Sequence, residues 1–112
     1  MSKPATRPYS HYCLDALTLL GQLVREARLE KDMTTSDLAM RAGISRSLLH
    51  RIERGDAGCS IGVVFEVAAI CGVALFEQDQ RLMATKLAHQ REKMSLLPKS
   101  VRKGSERFKD DF

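Results

Sequence analysis

Between Thr34 and Gly55 the chain is punctuated more tightly than anywhere else, and that punctuation limits what it can fold into. Thr34 is a residue of the type that caps a helix start, and Asp37 follows three positions later, an aspartate variant of the capping box. Gly43 supplies the left-handed turn that a helix ending abruptly requires. Ser45 is a second N-cap, and Gly55 a second glycine stop. The spacing predicts one short helix over Thr35 to Ala42 and another from Arg46 until Gly55, meeting across a tight turn. Helices this short are not stable alone in water, so both must be held by packing against the rest of the domain.

The rest of the chain supplies that packing. Apolar residues recur at three- and four-residue intervals, aromatics are sparse and no alternating strand pattern competes, so the expected class is all-α. A first helix is expected from about Leu14 to Lys31, with Leu20, Leu23, Val24 and Ala27 inward and Arg25, Glu26 and Glu30 outside. The second helix turns Thr35, Leu38, Ala39 and Ala42 inward, and the small Ala39 admits a crossing helix closely. Ser60 is a third cap candidate, opening a fourth helix from Ile61 to Cys71 with Val64, Val67 and Ala68 inward and Gly72 at its end. A short apolar turn, Val73 to Phe76, closes the domain. Met83, Leu87, Met94 and Leu97 keep a helical spacing and predict a fifth, amphipathic helix before Pro98. The expected division is a flexible arm over residues 1–12, the domain proper over 13–76, the amphipathic helix over 77–97 and a flexible tail over 98–112.

Composition excludes several classes. Apolar residues make up 44% of the chain and charged residues 29%, the balance of a soluble globular protein. No apolar run approaches the roughly 18 residues of a membrane-spanning helix. The opening MSKPATRPYSHYC has no stretch of signal-peptide type, so a cytoplasmic protein is expected. Cys13, Cys59 and Cys71 are widely separated and lack the paired spacing of a zinc site or redox dithiol, and His11, His50 and His89 are scattered; free thiols, no metal and no cofactor are expected. There is no glycine-rich phosphate loop, no nucleophile elbow and no paired carboxylate and histidine on one predicted face, so the chain does not read as an enzyme.

The formal charge of +4 divides as +2 over residues 1–12, −1 over 13–76 and +3 over 77–112. A domain of net −1 cannot attract nucleic acid by bulk charge, so its cations must be segregated onto one face. The third helix shows how. With Arg46 at zero and about 100° per residue, His50, Arg54, Ser47 and Arg51 fall between about 40° and 140°, while Leu48, Ile52 and Leu49 fall between about 200° and 300°. One side is polar and cationic, the other apolar. That is the layout of a helix that seats one side against a neighbour and presents the other to a groove lined with acceptors. Arginine suits the place because its planar fork can donate twice to guanine N7 and O6. Arg46 and Arg51 are the expected base readers; Ser47 is short enough for close approach, and His50 and Arg54 can reach bases or backbone.

The segments Leu20-Gly21, Arg25-Glu26-Ala27-Arg28, Met33-Thr34, Asp37-Leu38-Ala39, Ala42-Gly43-Ile44-Ser45, and Arg46-Ser47 with Arg51-Ile52-Glu53-Arg54-Gly55 together resemble the Cro-like, or XRE-type, helix-turn-helix family of phage repressors and bacterial regulators. The likeness covers about half the chain. It implies a five-helix, lambda-repressor-like domain with a C-terminal helical and flexible extension, a homodimer on palindromic double-stranded DNA, and base reading at Arg46, Ser47 and Arg51. The family commonly has glutamine where Thr35 stands, contacting the DNA backbone and buttressing the recognition helix; Thr35 is shorter. Glu53, at about 340° on the wheel, lies at the edge of the buried side, where a carboxylate is costly unless paired. In similar proteins an arginine at the position of Arg28 pairs with it, which implies an ion pair here that pins the first helix to the third.

Phosphate contacts are expected from Thr34, Thr35, Arg54, the loop Asp56 to Ser60 with Ser60 itself, and Arg41 or Lys31 nearby. A short DNA-binding chain with such an extension also resembles, in layout, the HipB-type antitoxins, whose partner is a HipA-like kinase toxin and which repress their own operon. Two classes of function therefore stand: a plain transcriptional repressor, and an antitoxin-type protein that binds both DNA and a toxin.

Overall fold

In the computed structural model, residues 9–101 are described, and they form five helices with no strand among them. The order is α1 (His11–Glu30), α2 (Thr35–Ala42), α3 (Arg46–Glu53), α4 (Ile61–Cys71) and α5 (Gln80–Ser95). The expected arm over 1–12 falls largely, and the expected tail partly, outside the described residues. The chain divides into two units after Gln78.

In the first unit α1 and α2 each pack on both α3 and α4. The core between them is built of Val24 from α1, Leu38 and Ala39 from α2, Leu49 and Ile52 from α3, and Val67, Ala68 and Cys71 from α4, with Met33 from the loop between α1 and α2. Val24, Leu38, Leu49 and Val67 are completely buried. Cys13, Cys59 and Cys71 are free thiols, and burial pushes the Cys71 thiol above its ordinary pKa.

Local chemistry explains the ends of each helix. The Ser10 hydroxyl accepts from the Cys13 amide at 3.1 Å, so α1 begins at His11 and not at Leu14 as expected. The cap precedes the apolar stripe by a full turn, and His11 and Tyr12 are exposed, so hydrophobic periodicity alone starts the helix too late. Thr34 and Asp37 form a reciprocal capping box, with the Asp37 amide donating to Thr34 Oγ1 and the Thr34 amide to Asp37 Oδ2, both at 3.0 Å. Ser45 accepts from the Leu48 amide at 3.0 Å. Ser60 stands at the N-cap of α4 but makes no side-chain cap bond, which corrects the expectation for its hydroxyl. α2 ends on Gly43 at φ 69°, where a side chain would be strained. α1 ends without a glycine: Asp32 adopts φ 56°, a conformation Asp tolerates better than most residues.

Two positions bring α1 against the end of α3 more closely than side chains allow. A Cβ at Gly21 would stand 2.5 Å from the Glu53 carbonyl oxygen and 2.7 Å from that of Ile52. A Cβ at Gly55, at φ 82°, would stand 2.8 Å from Thr18 Cα. Backbone therefore meets backbone there. Leu23, expected inward, is exposed; the buried line of α1 is Gly21, Val24 and Arg28, and Leu23 lies a quarter-turn off it. Phe76, expected to close the domain, is 74% exposed, its ring stacked on Phe65 at a centroid distance of 5.9 Å.

In the second unit, Asp79 caps α5 by accepting from the amides of Arg81 and Leu82 at 2.8 and 3.1 Å. No residue of α5 is buried: Met83 is half-covered, and Leu82, Leu87 and Met94 are exposed. Leu97, expected to extend the stripe, falls beyond the helix, which ends at Ser95.

Candidate nucleic-acid interface

A buried ion pair fixes the orientation of α3. Arg28 is 6% exposed, and its guanidinium grips Glu53 with two bonds, Nε to Oε2 at 2.8 Å and Nη2 to Oε1 at 3.2 Å. Its remaining arm, Nη1, donates to the Met33 carbonyl at 3.0 Å. The bond it donates to Glu53 holds Arg28 in its charged form, above its ordinary pKa. Because both charges are withdrawn from water and satisfied together, the pair acts as a register pin between α1, α3 and the loop at Met33. It also removes the one anion on α3 from the helix's outward side.

What remains outward is cationic. Arg46, Ser47, His50 and Arg54 are exposed, and Arg51 is partly so, while Leu49 and Ile52 are buried and Leu48 is half-buried. The turn between α2 and α3 consists of Gly43, Ile44 and Ser45, with the Ile44 amide bonded back to the Ala39 carbonyl at 2.9 Å, so the two helices are rigidly related. A rigid two-helix element with one face seated on the body and the other bearing arginines at its start and middle has the shape and charge to enter a major groove.

The other expected contact residues divide. Thr34 is exposed and Thr35 half-buried at the start of α2, and Ser60, with its hydroxyl released from capping, stands at the exposed start of α4. Both starts present backbone amides of a helix N-terminus, which favour phosphate. Arg41 is placed elsewhere: its Nη1 lies 3.4 Å from Met33 Sδ, in a depression it shares with Lys31, Asp37 and Met40, none of them on α3. Arg41 is exposed there, at the last turn of α2.

The model of the helix-turn-helix domain family matches residues 19–81, which takes in the second half of α1, all of α2 to α4 and the first two residues of α5. The chain belongs to the helix-turn-helix domain family. No curated protein and no solved structure matches it. Within the family assignment, α2 and α3 are the helix pair that gives the motif its name, and DNA binding in regulation is the class of function it supports. Among the described residues of this helix-turn-helix protein, no helix is long and apolar enough to cross a membrane, and no group of three or more His, Cys, Asp or Glu side chains gathers that could hold a metal ion.

Arg51 has one neighbour that nothing local in the sequence marks. Asp56 accepts from Arg51 Nε at 3.0 Å through Oδ2 and from the Gly58 amide at 2.6 Å through Oδ1. The bond from Arg51, and then that from Gly58, hold the Asp56 carboxyl below the usual carboxylate range. The signal available in the sequence was the five-residue spacing across Gly55, which has meaning only once the end of α3 is known to turn back on itself.

Proposed function

We propose that this chain is a sequence-specific transcriptional regulator that binds a palindromic operator as a dimer, with α3 lying in the major groove. The observation that carries the reading is the composition of the outward side of α3, where Arg46, Ser47, His50 and Arg51 stand together while Glu53 is withdrawn into its pair with Arg28. Arg46 and Arg51 read guanine through O6 and N7, and Ser47 and His50 make the shorter contacts between them. Thr34, Thr35, Arg41, Arg54 and Ser60 hold phosphates and set the register. Two copies related by a two-fold axis place their recognition helices about 34 Å apart, one turn of the duplex.

The finer assignment is an antitoxin-type repressor that controls its own operon. It is supported by α5, whose Leu82, Leu87 and Met94 are exposed and available to a second copy or to a HipA-like kinase toxin. Co-purification of a kinase-like protein through α5 supports that assignment, and a protein that purifies as a homodimer with no such partner favours the plain repressor.

Selection of bound duplexes from a random pool tests the reading. The parent enriches two inverted half-sites spaced by about 10 base pairs. Arg46→Ala loses the preference for guanine at one position in each half-site, a loss of about 1–3 kcal/mol in discrimination. A variant that selects the same sequences as the parent removes Arg46 as a reader, and a parent that enriches nothing at moderate salt removes sequence-specific binding itself.

A further inference from the structure

Four helices of the first unit end in the same turn, and one of the four breaks a pattern shared by the others. In each, the residue after the left-handed position returns its amide to a carbonyl five residues back: Met33 to Arg28 at 3.0 Å, Ile44 to Ala39 at 2.9 Å, Val73 to Ala68 at 2.8 Å, and Asp56 to Arg51 at 3.0 Å. This turn brings the donor residue's side chain over the last turn of the helix, and an apolar contact normally accompanies it. Met33 is buried and Ile44 and Val73 pack against the core. At the end of α3 the equivalent residue is Asp56, and it closes on Arg51 with an ion pair.

The pair has a direction. Asp56 Oδ1 is fixed by the Gly58 amide, so the carboxylate is anchored to its own loop and holds the guanidinium with its other oxygen. A Cβ at Gly58 would stand 3.3 Å from Arg51 Nη2, so the guanidinium lies across the turn at Gly58. An arginine can offer an acceptor pair either its Nε–Nη2 edge or its Nη1–Nη2 edge. With Nε given to Asp56, the Nη1–Nη2 edge is the one left for a ligand, and the Arg51 side chain stays 40% exposed to meet it.

We infer that Asp56 is a specificity-determining positioning residue: it holds Arg51 so that the Nη1–Nη2 edge faces the O6 and N7 of a guanine. The inference rests on the proposed reading of Arg51 as a base-contacting residue. A side chain fixed before binding loses less freedom on binding, and one fixed at a particular edge discriminates better between a guanine and a base without that acceptor pair. The same carboxylate repels phosphate, so a positioning role gives its removal two effects of opposite sign. Selectivity falls at one base pair, and general affinity for DNA holds or rises.

The test uses the full chain and the duplex that the parent selects from a random pool. Arg51→Ala first identifies the base pair whose preference depends on Arg51. Asp56→Asn keeps an oxygen for the Gly58 amide while ending the ion pair, and Asp56→Ala removes both. In each Asp56 variant the preference for guanine at the Arg51-dependent pair falls about tenfold, the preference at the Arg46-dependent pair is unchanged, and affinity for a duplex lacking the site is equal or higher. An unchanged preference at the Arg51-dependent pair overturns the inference. So does a preference that strengthens, which makes Asp56 a competitor of DNA for Arg51, or a uniform fall at every position, which makes its role merely structural. If Arg51→Ala alters no base preference, the base-reading assignment of Arg51 fails first and the role of Asp56 falls with it.

Discussion

Glu53→Ala lowers the stability of the chain by about 3–5 kcal/mol, read as the shift in urea unfolding, and leaves a domain of this size mostly unfolded or close to it. The size follows from what stays behind. Arg28 is 6% exposed and gives two of its bonds to Glu53, so the variant strands a guanidinium among apolar side chains with only the Met33 carbonyl as partner. Glu53→Gln does less harm, because an amide oxygen still accepts while the charge is lost. Replacing both members together, Arg28→Met with Glu53→Leu, recovers most of the loss, since no unpaired charge remains. The double-mutant cycle separates the two accounts: strong coupling is expected, and a Glu53→Ala variant within about 0.5 kcal/mol of the parent contradicts a structural role for the pair.

Gly21→Ala is expected to cost about 1–3 kcal/mol in the same measurement, against the usual preference of a helix interior for alanine. Alanine gains about 1 kcal/mol over glycine from helix propensity alone, so the sign depends on space. A Cβ at 2.5 and 2.7 Å from two carbonyl oxygens is far inside ordinary contact, and both obstacles are backbone, which no side-chain rotation can clear. α1 must move away from the end of α3, and that movement also stretches the Arg28–Glu53 pair, so Gly21→Ala and Glu53→Ala should not add. A stability equal to or above the parent's would mean that the two helices separate without strain. The helical fraction by circular dichroism distinguishes the cases, because a repacked domain keeps it and an unfolded one does not.

These two residues also mark where the sequence was legible and where it was not. The bounds of α2, the start of α3 and the end of α4 could be read because Thr34, Asp37, Gly43, Ser45 and Gly72 act locally, through their own hydroxyls, carboxylates and backbone angles. The segregation of α3 into a seated and an outward side was readable for a similar reason, since helical phase depends on neighbours in sequence. Nothing local marks Gly21 as a crossing point, for its glycine looks like a mild defect in α1 until the Glu53 carbonyl is seen beside it. The Arg28–Glu53 pair, by contrast, is legible through the family resemblance and is formed, whereas Leu23, expected inward, lies off the buried line of Gly21, Val24 and Arg28. In the sequence Asp56 is simply part of a loop, because its meeting with Arg51 depends on how α3 ends.

Assigning backbone amide shifts of the full chain, free and bound to its selected duplex, tests the proposed reading of α3 most directly. The largest changes are expected over Ser45 to Arg51, with smaller ones at Thr34, Thr35 and the residues from Gly58 to Ile61, and little change along the buried line of α1. Changes centred on α5 or on the exposed side of α1, with the amides of α3 unmoved, would contradict it.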